Sequence, residues 1–198
     1  MNDHTILEEH LELYNDLLTF TQNANDKLVA GDDEFITLNM NFFTKSLMVI
    51  SCAYLESYLK KASNLMIDTF NLRINNAKVP HNLVDWSLNK KKSKPNDEVR
   101  QFSFEITDDD IDSELSGNVY LTLAFFKKLG INLDANPDFF DCKDRVGSLV
   151  DKRNNIVHQN DDASDISPLD IMDNITFLMD YIGIIDEEVV NKLALEEN

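Results

Sequence analysis

Phe43-Thr-Lys-Ser-Leu-Met-Val-Ile-Ser-Cys-Ala-Tyr-Leu-Glu56-Ser-Tyr-Leu-Lys60 is apolar on more than one side when wound as a helix. Phe43, Leu47, Ile50, Tyr54 and Tyr58 make one row, and Val49 and Ala53 lie on the row beside it. A helix of that kind belongs in the centre of a bundle. Along the steps Ser46, Val49, Ala53, Glu56 and Lys60 a carboxylate falls in line with small apolar residues. Glu56 therefore sits by a polar cleft or at the edge where the helix emerges. The periodic stretch runs from about 37 to 70.

The rest of the chain follows the same period. Turn residues are scarce, with 5 Gly and 4 Pro, and apolar residues recur at spacings of three and four, an all-α signature. Before the central helix, residues from about 4 to 30 place Leu7, Leu11, Tyr14, Leu18, Thr21 and Leu28 on one side, and Gly31-Asp32-Asp33 ends that helix. After it, from about 71 to 112, the periodicity fails. This stretch reads as an irregular insert carrying a short helix near Leu83 to Leu88 and a strand-like alternation over Gln101 to Ile106. Helical spacing returns at Val119 and stops at Gly130. Asn136-Pro137 supplies an N-cap with proline in the first turn, opening a helix to about His158. Ser167-Pro168-Leu169-Asp170 repeats the device, with an acid at the third position, for a last helix to about Leu193. The short polar link between these two makes them an antiparallel pair. The expected architecture is a single all-α domain over 1–198, a helical bundle with an insert at about 71–112.

With 198 residues, 43% of them apolar, such a domain buries roughly 70% of its unfolded surface and needs no metal or disulfide to fold. Cys52 and Cys142 lack any partner spacing and read as reduced core thiols. No basic region followed by an apolar stretch opens the chain. The longest nearly uncharged run, Ser46 to Leu55, is about half the ~20 residues a membrane helix needs. The expectation is a soluble, cytoplasmic protein without a membrane partner.

A net charge of -18 repels nucleic acid at long range. Any phosphate chemistry must rest on a local positive field. Lys90-Lys91-Lys92-Ser93-Lys94 is the basic run that could supply one, and a solvated loop is its plainer reading.

Chemistry gathers at Arg153-Asn154-Asn155-Ile156-Val157-His158. Val146, Leu149, Val150, Ile156 and Val157 follow the spacing of a buried stripe, and Arg153 occupies the place of an apolar residue in it. A buried guanidinium without partners costs several kcal/mol, so it must meet a carboxylate, a second subunit or a bound anion. Glu56 is the nominated carboxylate. Arginine presents a fixed fork to phosphate, and histidine carries a proton either way near neutral pH. His158 lies about 140° round an ideal helix from Arg153, so the two converge only if the helix loosens before His158 or if two chains bring two motifs together. A purely structural alternative pairs Arg153 with Glu56 inside the bundle and leaves His158 against free carbonyls at a helix end. Asp108-Asp109-Asp110 and Asp161-Asp162 do not read as a metal centre, since consecutive acids point in different directions and no His stands at ligand spacing.

The segment from Ser148 to His158 resembles the signature of the HEPN superfamily, in which Arg, a polar residue, a short spacer and His end a helix. The segment Phe43 to Lys60 resembles the early helix of RiboL-PSP-type members, with its acid ahead of an aromatic. The resemblance implies a bundle that dimerises with its motifs facing, and a metal-independent endoribonuclease without cofactor. Such an enzyme is often the toxin of a toxin-antitoxin or phage-defence system, with RNA as substrate and a cognate antitoxin as partner. It places Arg153 and His158 at the motif positions, Asn154 at the polar position and Glu56 at the acidic one. The implied reaction is attack of a ribose 2′-hydroxyl on the adjacent phosphorus, with His158 moving the proton, Arg153 holding the phosphate and Asn154 orienting. Some members of the superfamily bind a partner protein or nucleotide without cleaving RNA, which keeps a silent binding module open as the alternative.

Overall fold

The structure is a computed structural model that describes residues 5–31, 33–90, 99–159 and 163–194. Among them the helices are α1 (Thr5–Ala30), α2 (Glu34–Ala77), α3 (His81–Asn89), α4 (Asp108–Glu114), α5 (Val119–Lys128), α6 (Pro137–Gln159) and α7 (Pro168–Ala194), with a 3-10 turn at Leu133–Ala135. Among these described residues no strand is present, in keeping with the all-α reading. α1, α2, α6 and α7 form the bundle, and α2 touches each of the other three.

α2 is central, as its two-sided apolar pattern requires, but its buried face is rotated from the expected row. Leu47, Cys52, Leu55, Tyr58, Leu59, Ala62 and Met66 are buried, whereas Ile50 is 36% exposed. Small hydroxyls broaden the buried face. Ser51 Oγ donates to the Leu47 carbonyl at 2.7 Å and Ser63 Oγ to that of Leu59 at 2.8 Å, so neither is buried unsatisfied. In α1 the buried set is His10, Tyr14, Leu17, Thr21 and Ala24, with Leu7, Leu11 and Leu18 packed at its margin. His10, a polar residue inside, is accepted there because Nδ1 lies 2.8 Å from the Ile6 carbonyl and Nε2 3.2 Å from Ser57 Oγ.

α2 also runs seven residues past its expected end at 70, to Ala77. At 44 residues it is long and apolar enough, by length and composition, to cross a membrane, which the short uncharged run did not suggest. Its buried residues lie in the bundle against α1, α6 and α7.

The short helix near Leu83 is present as α3. Gln101 to Ile106 is not a strand. It makes one isolated bridge, Pro80 to Gln101, and is pinned to α2 by a side chain. The Asn71 amide accepts from Phe104 N at 2.7 Å and donates to Phe104 O at 3.2 Å, replacing the neighbour strand that is absent. Asp108-Asp109-Asp110, which falls in the stretch expected to be irregular, instead opens α4. Thr107 and Asp110 close a capping box, and acids in a first turn are favoured by the helix dipole.

Candidate functional site

α6 begins where the sequence places it. Asn136 Oδ1 accepts from Asp138 N at 3.0 Å and from Phe139 N at 3.2 Å, and Pro137 gives up no needed donor. From that start the stripe Phe139, Val146, Leu149, Val150 and Ile156 faces the core. Arg153 lies in the same stripe at the edge of the bundle, with its side chain 18% exposed.

Its partner is Glu56, whose side chain is 30% exposed. Arg153 Nη2 donates to Glu56 Oε1, and Arg153 Nη1 donates to Asn154 Oδ1 at 2.9 Å. The same Glu56 oxygen accepts from the backbone N–H of Gly117 at 3.2 Å. Gly117, in the turn joining α4 to α5, was not anticipated. A Cβ there would stand 3.3 Å from Val150 Cγ2 and 3.4 Å from Glu56 Oε1, so a glycine lets this backbone reach the carboxylate. Cys52, one turn before Glu56, lies beside the guanidinium. Burial pushes its thiol up to about 11, with Arg153 opposing the rise, so the thiol stays neutral, as expected of a core cysteine.

The arrangement brings Arg153, Asn154 and Glu56 together and leaves His158 apart. His158 stands exposed in the last turn of α6 and makes no hydrogen bond or ion pair among the described residues. The expected loosening of the helix does not occur. α6 is regular through Gln159, because Ile156 is 7% exposed and its packing holds a turn that Asn154 and Asn155 alone would favour weakly. Arg153 and His158 therefore leave the helix about 140° apart, and one chain does not aim both at one phosphate. Around them Lys152 is committed to Asp165 at 2.6 Å.

Lys90 ends α3 with a positive φ of 46° and is exposed. Lys91, Lys92 and Lys94 lie outside the described residues, as do Asp161 and Asp162. The α3 end of α2, Ala77, is about 30 Å from Glu56 by helical rise. Asp110 is spent on its capping box and Asp108 accepts from Asn64 at 3.1 Å. Among the described residues no group of three or more His, Cys, Asp or Glu gathers as a metal site would.

An all-α bundle whose central helix offers a carboxylate to an arginine near the end of a neighbouring helix defines the class. The RiboL-PSP-HEPN family model matches residues 8–191, so the chain belongs to that family. No curated protein and no solved structure matches it. Membership suggests a ribonuclease-type or nucleotide-binding function.

Proposed function

We propose that the protein is a metal-independent endoribonuclease that works as a homodimer with its site at the interface. Arg153 holds the scissile phosphate and offsets charge on its oxygens, Glu56 and Asn154 fix the guanidinium, and His158 moves the proton of the attacking 2′-hydroxyl. The products are a 2′,3′-cyclic phosphate and a 5′-hydroxyl. One observation carries this reading: an arginine set into a buried stripe and oriented by two side chains, followed on the same helix by an exposed histidine without a partner among the described residues.

The dimer enters because of the straight helix. With α6 unbroken, a second chain is what can bring a His158 opposite an Arg153. Lys90, Lys91, Lys92 and Lys94 are assigned to flanking nucleotides, since their segment begins beyond the far end of α2. In the cell this activity fits a cytoplasmic toxin of a toxin-antitoxin or phage-defence system, held by a cognate antitoxin.

The test is chemical. In EDTA, the purified protein cuts a single-stranded RNA and leaves cyclic phosphate ends, and a 2′-deoxy substitution at the cut position blocks that cut. Cleavage that needs magnesium, or that ignores the 2′-deoxy substitution, overturns the proposal.

A second reading has its own support. Glu56 already answers the charge of Arg153 within the chain, and the net charge is -18, as suits a silent dimer that recognises a basic partner. Salt separates the two: RNA binding that weakens steeply with salt supports the nuclease, and no RNA binding at low salt supports the module.

A further inference from the structure

α3 buries none of its residues, so its large side chains do not serve the core. Leu83 is 52% and Trp86 63% exposed. The start of the helix is nonetheless held, since His81 N donates to the Arg100 carbonyl at 3.0 Å and Phe102 N to the Val79 carbonyl at 2.8 Å. A fixed helix thus shows a tryptophan to solvent.

The two sides of α3 differ in charge. Leu83, Trp86, Ser87 and Lys90 follow one another at spacings of three and one, one side of the helix and its end, and line a cavity of about 570 Å³. Asp85, the acid within α3, lies round the helix from them and accepts from Asn89 Nδ2 at 2.6 Å. Among the described residues no acid lines the cavity. Neither the Trp86 ring nor the Lys90 ammonium has a partner among them.

That pairing selects a ligand. The volume falls within the roughly 300–1,000 Å³ of small-molecule sites and admits a nucleobase. An uncovered indole offers the base a stacking face, and an unpaired ammonium beside it meets the phosphate. From Lys90 the sequence continues into Lys91, Lys92 and Lys94, so lysines gather next to this tryptophan in a protein of net charge -18. Only an unstacked base can lay its face on a side chain, which calls for a single strand.

We propose that this face of α3 is a stacking site for a base of single-stranded RNA, with the base on the Trp86 ring and its phosphate at Lys90. The inference rests on RNA being the ligand, and it gives the strand a contact separate from Arg153.

Trp86 is the one tryptophan of the chain, so its fluorescence reports this site alone. The probe is a single-stranded 2′-O-methyl oligouridine dodecamer, which blocks the hydroxyl that cleavage needs and so reads binding apart from cleavage. Added to the full chain at low salt, it is expected to quench the emission to saturation, and a 2′-O-methyl duplex of the same length is expected not to. In anisotropy with the labelled dodecamer, Trp86→Leu should bind about tenfold more weakly, the scale of one lost base stack, and Trp86→Phe should keep most of the affinity. Lys90→Gln should weaken binding and make it less sensitive to salt. Circular dichroism stays unchanged in all three, since α3 buries none of these residues. No quenching, equal quenching by the duplex or by an oligoglutamate peptide, or wild-type affinity in Trp86→Leu overturns the proposal and leaves cleavage at Arg153 and His158 untouched. Quenching without any cleavage of unmodified RNA upholds the stacking site and overturns the nuclease reading alone.

Discussion

Two polar pairs leave α2 two residues apart and meet opposite fates. Tyr58, fully buried, donates its hydroxyl to Asp186 Oδ1 at 3.0 Å, and Asp186 is only 4% exposed. Glu56 meets Arg153 at the bundle edge, where the two side chains keep 30% and 18% of their exposure. Burial, with Asp186 alongside, drives the Tyr58 hydroxyl far above its ordinary range, so it stays a fixed neutral donor. The first pair locks α2 to α7. The second is an ion pair in which α2 supplies the acceptor, and it has a route to solvent, so on such an edge a charged fork can meet a ligand. Accessibility is what separates the two pairs.

The largest effect that would sharpen this contrast is on activity. Arg153→Ala should lower RNA cleavage by at least about 100-fold, the scale of losing one preorganised anion contact, while urea unfolding shifts little. Equal losses of activity and stability would make the edge pair a second staple.

Asp186→Ala should do the reverse. Leaving the Tyr58 hydroxyl unpaired where no water reaches costs about 2–3 kcal/mol in urea melts, and cleavage per folded molecule is retained. A stability change near zero would break the comparison from its buried side.

Gly117→Ala comes next. The added Cβ crowds Val150 and Glu56, so cleavage should fall about tenfold, equivalent to ~1.4 kcal/mol, with circular dichroism unchanged. Full activity in this variant would show that the N–H of residue 117 does not hold Glu56.

The smallest effect is pH dependence. Burial holds the His10 imidazole below its usual 6.5, so on acidification the unfolded chain takes up this proton first. The contribution is complete above pH 6.5 and is lost as pH falls through that value toward the lowered one. His10→Gln should flatten the loss of melting temperature between pH 7 and 5.5. The capping carboxylates of Asp33, Asp110 and Asp170, held below 3.8, act only at lower pH. An unchanged slope would remove His10 from the account.

What could be read from the residues was local. Asn136-Pro137 and Ser167-Pro168-Leu169-Asp170 announce α6 and α7 because an N-cap is complete within four residues. Thr107 to Asp110 is the same device, hidden by its neighbours, since three consecutive acids read equally well as a turn. The facing of α2 was not legible, because a helix buried on several sides has no single stripe to align. Glu56 could be nominated for Arg153 from its place in an apolar row. Gly117 could not, for it acts through a backbone N–H from 61 positions away and has no side chain to advertise it. His158 could be nominated as a proton carrier from its side chain alone, but its orientation depended on whether Ile156 held the helix straight.

The central claim is that Arg153 and His158 are one catalytic unit, and the initial rate of RNA cleavage in EDTA by His158→Ala against wild type tests it most directly. His158 is exposed and bonded to nothing described, so its removal should leave the fold and the melting temperature unchanged. The rate should fall by about 10²- to 10⁴-fold, the range of a lost general acid or base. Cleavage at the wild-type rate by a folded His158→Ala protein would contradict the account.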